Sequence, residues 1–302
     1  MLREQTMNEQ RGRLGDHKVR RVGYGAMQLA EGTPPAREDA IAVLRRAVEL
    51  GVDHIDTAEF YGDGLANDLI RAALWPYPDD LALVSKVGAV REGRLVAAQR
   101  PEQLRAGVEA NLRGLGVERL AAVNLRRLDA PPGIVAAGDQ KVDIDSQLAE
   151  LVALRDEGKI DGIGLSGVTA EQLRRAVPAG VVCVQNLYNV LDRTAEPLLA
   201  ECAAHGVAWV PFFPLGSAFP GAPRVAEHPA VIAAAADLGA TPAQVGLAWL
   251  LAHDPGTLLI PGTRSVEHLE ENVAAAAVTL DAGTMAALDS LPDATPCGGG
   301  TR

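Results

Sequence analysis

The feature that most constrains the fold is an alternation running almost the length of the chain. Short β-rich runs give way, again and again, to longer segments with apolar residues three and four apart, the sequence form of repeated βα units. Strands are expected over residues 22–26, 52–56, 81–86, 120–125, 160–165, 181–185, 207–212 and 257–260. Helices are expected over 38–50, 65–74, 101–115, 144–156, 169–177, 195–205, 229–238 and 265–275, with extra ones over 242–252 and 281–291. Stop signals agree with these bounds: Gly51 and Gly116 follow two of the helices and Pro76 a third, while Thr241 before Pro242 reads as an N-cap with proline in the first turn.

Eight βα units can close as a barrel or lie open as a doubly wound sheet, and period alone does not choose. A barrel gathers the residues just after all its strands at one face, so short motifs scattered along the chain converge there; an open sheet concentrates its nucleotide motif at one crevice. Ahead of the first strand, Gly15 and Asp16 within residues 13–21 predict a short hairpin able to cover a barrel bottom. Residues 1–12 read as a flexible lead and 13–302 as one domain, because barrels of about 250 residues or more form single units. Pro220, Pro223 and Pro229 mark a loop after the seventh strand rather than a linker.

Composition narrows the function. With 28 basic and 39 acidic side chains the net charge is −11, and no block of like charge breaks the spread. A nucleic-acid or anionic-membrane surface is therefore not expected. Cys183, Cys202 and Cys297 form no C-x-x-C pair and have no His cluster beside them, so neither a disulfide framework nor a metal site is expected. The start of the chain has no signal-type apolar segment, which together with the cysteines points to a soluble cytoplasmic protein acting on a small molecule.

One motif misleads. Gly162-Ile163-Gly164-Leu165-Ser166-Gly167 matches the dinucleotide fingerprint G-x-G-x-x-G, but the acidic residue required at the end of the next strand is absent, where the chain reads Val184-Gln185-Asn186. The match is read as chance.

Another constellation carries chemistry. Asp56 ends the second strand, Tyr61 follows it in the loop, and Lys86 ends the third strand. A lysine at a barrel strand end needs an anion, which Asp56 can supply, and its ammonium would face Tyr61. A buried cation beside a phenol is expected to lower its pKa and make it a usable acid for a developing alkoxide.

With these residues in place, the chain resembles the aldo-keto reductases over about residues 20–291. The resemblance rests on Gly23-Tyr24-Gly25-Ala26-Met27, Asp56 with Tyr61, Lys86, Gly164-Leu165-Ser166, Gln185, Pro214-Leu215-Gly216, and Ile260-Pro261-Gly262-Thr263 followed by Glu271-Asn272. It implies a (β/α)8 TIM barrel with a short N-terminal hairpin and extra C-terminal helices, and reduction of a small carbonyl substrate with NADPH. It further implies that Tyr61 is the proton donor, that Lys86 and Asp56 tune it, and that Ser166 and Gln185 hold the nicotinamide carboxamide. Phe212 would stack on the nicotinamide, and Gly25, Ala26, Met27, Asp56 and Ile260 would line the cofactor site. Leu215, Gly216 and Ser217 look like the pyrophosphate loop, and Gly262, Thr263, Arg264, His268, Glu271 and Asn272 like the adenosine end. Arg264 favours NADPH, because a guanidinium suits a ribose 2′-phosphate.

Three positions depart from the family pattern, one being Phe212 where the stacking residue is usually a tyrosine, which keeps the ring face and loses only the hydroxyl. Arg126 stands where the family usually has a histidine, in Val123-Asn124-Leu125-Arg126-Arg127, and Gly167 stands where an asparagine usually follows the serine. A guanidinium keeps a donor near the carbonyl and should depress the Tyr61 pKa further, yet it cannot relay a proton. Arg126 is expected to bind an anionic group beside the aldehyde, with Asn124 on the same strand face as a second polar contact, while His54 reads as a core histidine. This variant looks most like the bacterial pyridoxal reductase subgroup, which implies reduction of pyridoxal to pyridoxine. Other aldehyde or tailoring reductases, and a nucleotide-sensing subunit, share the same fold.

Overall fold

The computed structural model describes residues 11–131, 133–216 and 223–293. Two antiparallel strands, β1 (Arg11–Leu14) and β2 (His17–Arg20), open the chain as a hairpin, with Gly15 left-handed at the turn. A curled parallel sheet follows: β3 (Tyr24–Gly25), β4 (His54–Asp56), β5 (Ala82–Val87), β8 (Leu120–Arg126), β9 (Ile160–Ser166), β10 (Val181–Gln185) and β11 (Ala208–Trp209), hydrogen-bonded side by side in that order. Between β5 and β8 the chain makes a second hairpin, β6 (Ala89–Glu92) with β7 (Arg94–Ala97), which the periodicity did not reveal.

Residues 257–260 close the ring. Trp209 bridges Thr257 and Val22 bridges Leu259, both in parallel sense, with Gly23 N donating to Leu259 O at 2.8 Å and Leu258 N to Trp209 O at 2.8 Å. The eighth strand is thus made of single bridges rather than a full ladder. The expected run 207–212 also shortens to Ala208–Trp209, since Pro211 has no N–H to give and Phe213 turns left-handed at φ 53°. The result is the (β/α)8 barrel.

Helices pack around it. Arg37–Glu49, Leu65–Leu74, Pro101–Leu115, Ile144–Asp156, Ala170–Ala176 and Glu196–His205 lie between strands, and Pro229–Leu238, Pro242–His253, Val266–Ala274 and Ala282–Asp289 follow the seventh. Thr241 caps its helix with a reciprocal Gln244 bond, as the sequence suggested. A short helix over Met27–Ala30 was not foreseen. Of the expected 1–12 lead, residues 1–10 lie outside the described residues, and Arg11 and Gly12 are already strand; Cys297 and Pro220 also lie outside them.

Alternation along the strands explains where the site forms. Ala82, Val84, Ala122, Cys183, Ala208, Val210 and Leu258 cluster inside the barrel and are sealed from below by Leu14 and Val19 of the hairpin. Two residues further along those strands, the same inward face carries Lys86, Asn124, Gln185 and Phe212, joined by Asp56 two after His54. Small apolar side chains fill the lower layer and polar ones the layer above.

The rejected glycine motif has a packing role instead. A Cβ on Gly164 would sit 2.1 Å from Asn124 Oδ1 and 2.7 Å from Cys183 Sγ, so these glycines make room for barrel neighbours. Gly167 holds φ 67°, a left-handed position that Gly and Asn share most readily, which explains why one stands in for the other.

Candidate active site

Asp56 and Lys86 reach the same point from adjacent strands, β4 and β5, and the lysine ammonium donates to Asp56 Oδ1 in a short buried contact. The ammonium also donates to Thr57 O at 3.2 Å. Gln185 Nε2 donates to Asp56 Oδ2 at 2.7 Å, so the carboxylate is held from both oxygens. Burial alone would lower the Lys86 pKa, but Asp56 and Tyr61 together outweigh it and hold that pKa above the ordinary value.

Tyr61 comes from the loop after β4, with Lys86 Nζ 5.1 Å from its ring centroid. Here the sequence expectation is corrected in sign. Burial is the largest influence and raises the phenol pKa above 10; Lys86 and Arg126 pull it down without overcoming burial, and Asp56 adds to the rise. Tyr61 is therefore a phenol, not a phenolate, at neutral pH.

Arg126 ends β8, and its guanidinium sits over the Phe60 ring at 5.6 Å; Phe60 in turn meets the Tyr61 ring edge-on at 5.3 Å. No carboxylate pairs with Arg126 among the described residues, and burial lowers its pKa while Tyr61 opposes that fall. The guanidinium is held by an aromatic face, leaving its N–H donors available.

A buried polar ladder supports this group from behind. Thr57 Oγ1 donates to Asn67 Oδ1 (2.9 Å), while Asn67 Nδ2 (2.9 Å) and Ser85 Oγ (2.6 Å) converge on Asn111 Oδ1. Gln99, almost fully buried, donates to Gly88 O (2.6 Å) and Arg126 O (2.8 Å), tying together the strand ends that carry Lys86 and Arg126. Sequence reasoning missed these residues, although asparagine at otherwise apolar positions of helices 65–74 and 101–115 is a readable signal. His54 is buried as a core residue, with Nδ1 3.7 Å from Asp53 Oδ1 and neither ring nitrogen hydrogen-bonded among the described residues.

The remaining sequence-expected residues form a second group. Ser166 pairs in register with Gln185, and Ala26 N donates to Asp56 O at 2.8 Å. Phe212 N donates to Asn186 O at 3.0 Å, and Leu215 and Gly216 make a tight turn closed by Gly216 N to Phe213 O at 2.9 Å. Ser217 lies outside the described residues. Met27 starts its short helix. Gly25 and Gly262 cross backbone to backbone: a Cβ on Gly25 would meet Ile260 O at 2.5 Å, and one on Gly262 would meet Gly25 O at 2.7 Å. Tyr24 Oη donates to Thr263 O at 2.6 Å, linking the first strand to this loop. Arg264 and His268 are exposed at the start of helix 266–274, with Arg264 donating to Thr33 O; Glu271 is half-buried and Asn272 buried.

Among the described residues no group of three or more His, Cys, Asp or Glu could hold a metal ion, and no single helix is long and apolar enough to cross a membrane.

Comparison with known proteins gives the family and bears out the fold. The chain is 44% identical over 285 residues to pyridoxine 4-dehydrogenase of Escherichia coli K12, spanning 92% of this chain and 96% of that protein. It is 37% identical over 284 residues to an uncharacterised oxidoreductase of Schizosaccharomyces pombe, with 92% and 88% covered. The crystal structure of an aldo/keto reductase from Klebsiella pneumoniae in complex with NADP and acetate superposes with a TM-score of 0.77 at 28% identity, over 93% of this chain and 94% of that one. The profile of the aldo/keto reductase family matches residues 21–293, and the chain belongs to that family.

Proposed function

We propose that this protein is a cytoplasmic, NADPH-dependent reductase that converts pyridoxal to pyridoxine, acting as one barrel domain over residues 13–302. The observation that carries the reading is the convergence of Asp56, Lys86, Tyr61 and Arg126 at one strand-end face, with Arg126 unpaired by any carboxylate among the described residues.

The residues present fit a nicotinamide cofactor. Gln185 Oε1 is buried and has no partner among the described residues, an open acceptor for a carboxamide N–H, with Ser166 beside it in register. The glycines at 25 and 262 let the first strand and the 260–263 loop approach main chain to main chain, and with Ala26, Met27 and Ile260 they would line the cofactor. Phe212 would supply a ring face, Leu215 and Gly216 the pyrophosphate turn, and Thr263, Arg264, His268, Glu271 and Asn272 the adenosine end; Ser217 lies outside the described residues. The cofactor, when bound, supplies a hydride to the carbonyl carbon.

Tyr61 Oη then gives its proton to the carbonyl oxygen. Its raised pKa keeps that proton available at neutral pH, and the phenolate left behind is held by Lys86 and Arg126. Asp56, gripped by Gln185, fixes the ammonium. Arg126 binds the phenolic oxygen that pyridoxal carries beside its aldehyde, a partner a simple aldehyde lacks. The bacterial relative named pyridoxine 4-dehydrogenase supports the same substrate.

Following NADPH absorbance with pyridoxal against a panel of aldehydes and ketones tests this directly. Pyridoxal is expected to have the highest kcat/KM, and Tyr61→Phe to lose about 10²-fold or more in kcat while still binding NADPH. Tight NADPH binding without turnover of any carbonyl would defeat the enzymatic reading.

A further inference from the structure

We propose that Glu31 and Arg91 form a latch that positions Tyr61; the proposal rests on the reading of Tyr61 as proton donor. The loop carrying Tyr61 closes on itself through Tyr61 N to Ala58 O (3.1 Å), Gly64 N to Glu59 O (2.7 Å) and Ala66 N to Tyr61 O (3.3 Å), yet its backbone takes an uncommon path. Gly62, Asp63 and Gly64 are left-handed in succession, at φ 61°, 57° and 84°, and Asp63 adopts this conformation without being glycine. Such a backbone persists only where its surroundings hold it.

The restraint grips the two peptide groups that flank Tyr61. Arg91 Nε donates to Phe60 O at 3.2 Å, on the peptide entering Tyr61. Gly62 N, on the peptide leaving it, donates to Glu31 Oε1 at 3.2 Å. Arg91 Nη2 donates to that same Glu31 oxygen, so one ion pair closes over both peptides. Its members come from elements remote in sequence: Glu31 follows the short helix Met27–Ala30, and Arg91 lies on the hairpin strand β6. The fit is close, since a Cβ on Gly62 would lie 2.7 Å from Ala30 O.

The latch sets more than the phenol. Phe60, whose carbonyl it holds, is the ring on which Arg126 rests. Proton donor and guanidinium therefore take their positions from one clamped dipeptide. Both latch side chains are about one-quarter to one-third exposed, outside the barrel layer of Asp56 and Lys86, and neither bonds to the catalytic groups. Glu31 and Arg91 are positioning residues, acting through the loop.

The test compares Arg91→Met, Arg91→Lys, Glu31→Gln, the Glu31→Gln/Arg91→Met double variant and Tyr61→Phe in the full chain, using an aldehyde the wild type reduces. Misplacement of the donor predicts a kcat loss of about tenfold to hundredfold in Arg91→Met and Glu31→Gln, with NADPH Kd within about twofold. The double variant should be no worse than the worse single one. Arg91→Lys should recover only part of the loss, because an ammonium lacks the fork that spans Phe60 O and Glu31. Wild-type kcat in both single variants, beside an inactive Tyr61→Phe, would overturn the latch alone. Parallel losses of kcat, NADPH affinity and melting temperature would overturn it too, as general loosening. Turnover by Tyr61→Phe would instead remove the donor reading on which the latch depends.

Discussion

The two ends of the candidate cofactor site are built differently. At the chemical end Asp56, Lys86 and Gln185 are each less than a tenth exposed, and the Asp56 and Lys86 charges are fixed on one another. At the adenosine end Arg264 and His268 stand in solvent, and the contacts that define the site end on main chain: the Gly25–Gly262 crossing and the Tyr24 hydroxyl donating to Thr263 O. A buried charge has no solvent to replace a lost partner, whereas an exposed one does. The chemical end should therefore respond to substitution in large, coupled steps, and the adenosine end in small, separable ones.

Lys86→Met is the most severe way to test that contrast. It removes the cation nearest Tyr61 and leaves the buried Asp56 carboxyl with Gln185 as its one remaining side-chain hydrogen-bond partner among the described residues. Turnover should fall by about 10²–10⁴-fold, and urea unfolding should show a loss of about 3–5 kcal/mol. Adding Asp56→Asn should restore much of the stability and none of the activity, since the orphaned carboxyl is gone but the tuning group is still missing. A Lys86→Met protein that unfolds at the wild-type midpoint would erase the distinction between the two ends.

Arg126→Ala probes the same end through pH. The Tyr61 pKa is raised chiefly by burial and partly pulled back by Lys86 and Arg126, so removing Arg126 lets it climb further. Reduction needs the protonated phenol and is lost as pH rises through this pKa; the alkaline limb of the kcat profile should therefore move upward. Oxidation of the alcohol needs the phenolate and should require correspondingly higher pH. With pyridoxal, kcat/KM should also drop by about tenfold or more, the scale of a lost charge-assisted hydrogen bond. An unmoved limb would show that the guanidinium exerts no field on the phenol.

At the other end, the backbone crossing is where a small change should matter most. Gly25→Ala places a methyl 2.5 Å from Ile260 O, which is main chain and cannot rotate away. A destabilisation of about 1–3 kcal/mol is expected in urea unfolding, together with weaker NADPH binding in fluorescence titration. Wild-type stability would mean the crossing is looser than its distances indicate.

How much of this was legible in the chain follows the range of each signal. Helices bounded by proline, glycine or a capping side chain, such as Leu65–Leu74, Pro101–Leu115 and Pro229–Leu238, coincide with the periodicity at both ends, because those boundaries are local. The eighth strand lies where it was expected but only as single bridges, since a bridge such as Val22 to Leu259 is made by segments at opposite ends of the chain, whereas the β6–β7 hairpin is local and its one turn signal, the left-handed Gly93, went unread. Asp56, Tyr61 and Lys86 could be read as a group because strand-end positions converge in a barrel whatever the loops do. Glu31 and Arg91, 60 residues apart, could not, as nothing in either neighbourhood names the other. The Tyr61 pKa shows the remaining gap: the neighbouring cation was readable, but the depth of burial that outweighs it belongs to the whole fold.

The mildest expectation concerns Arg264, where the contrast between the ends is sharpest. Its guanidinium is exposed and already donates to Thr33 O, so it offers a 2′-phosphate a screened charge rather than a buried clamp. Arg264→Ala should lower kcat/KM for NADPH by about twofold to fivefold, leave NADH within about twofold, and leave the melting temperature unchanged. The ratio of the two efficiencies is the measurement, because it cancels any change common to both cofactors. A loss of a hundredfold would mean that the adenosine end closes over its ligand and behaves like the chemical end; an unchanged ratio would take the phosphate away from Arg264 altogether.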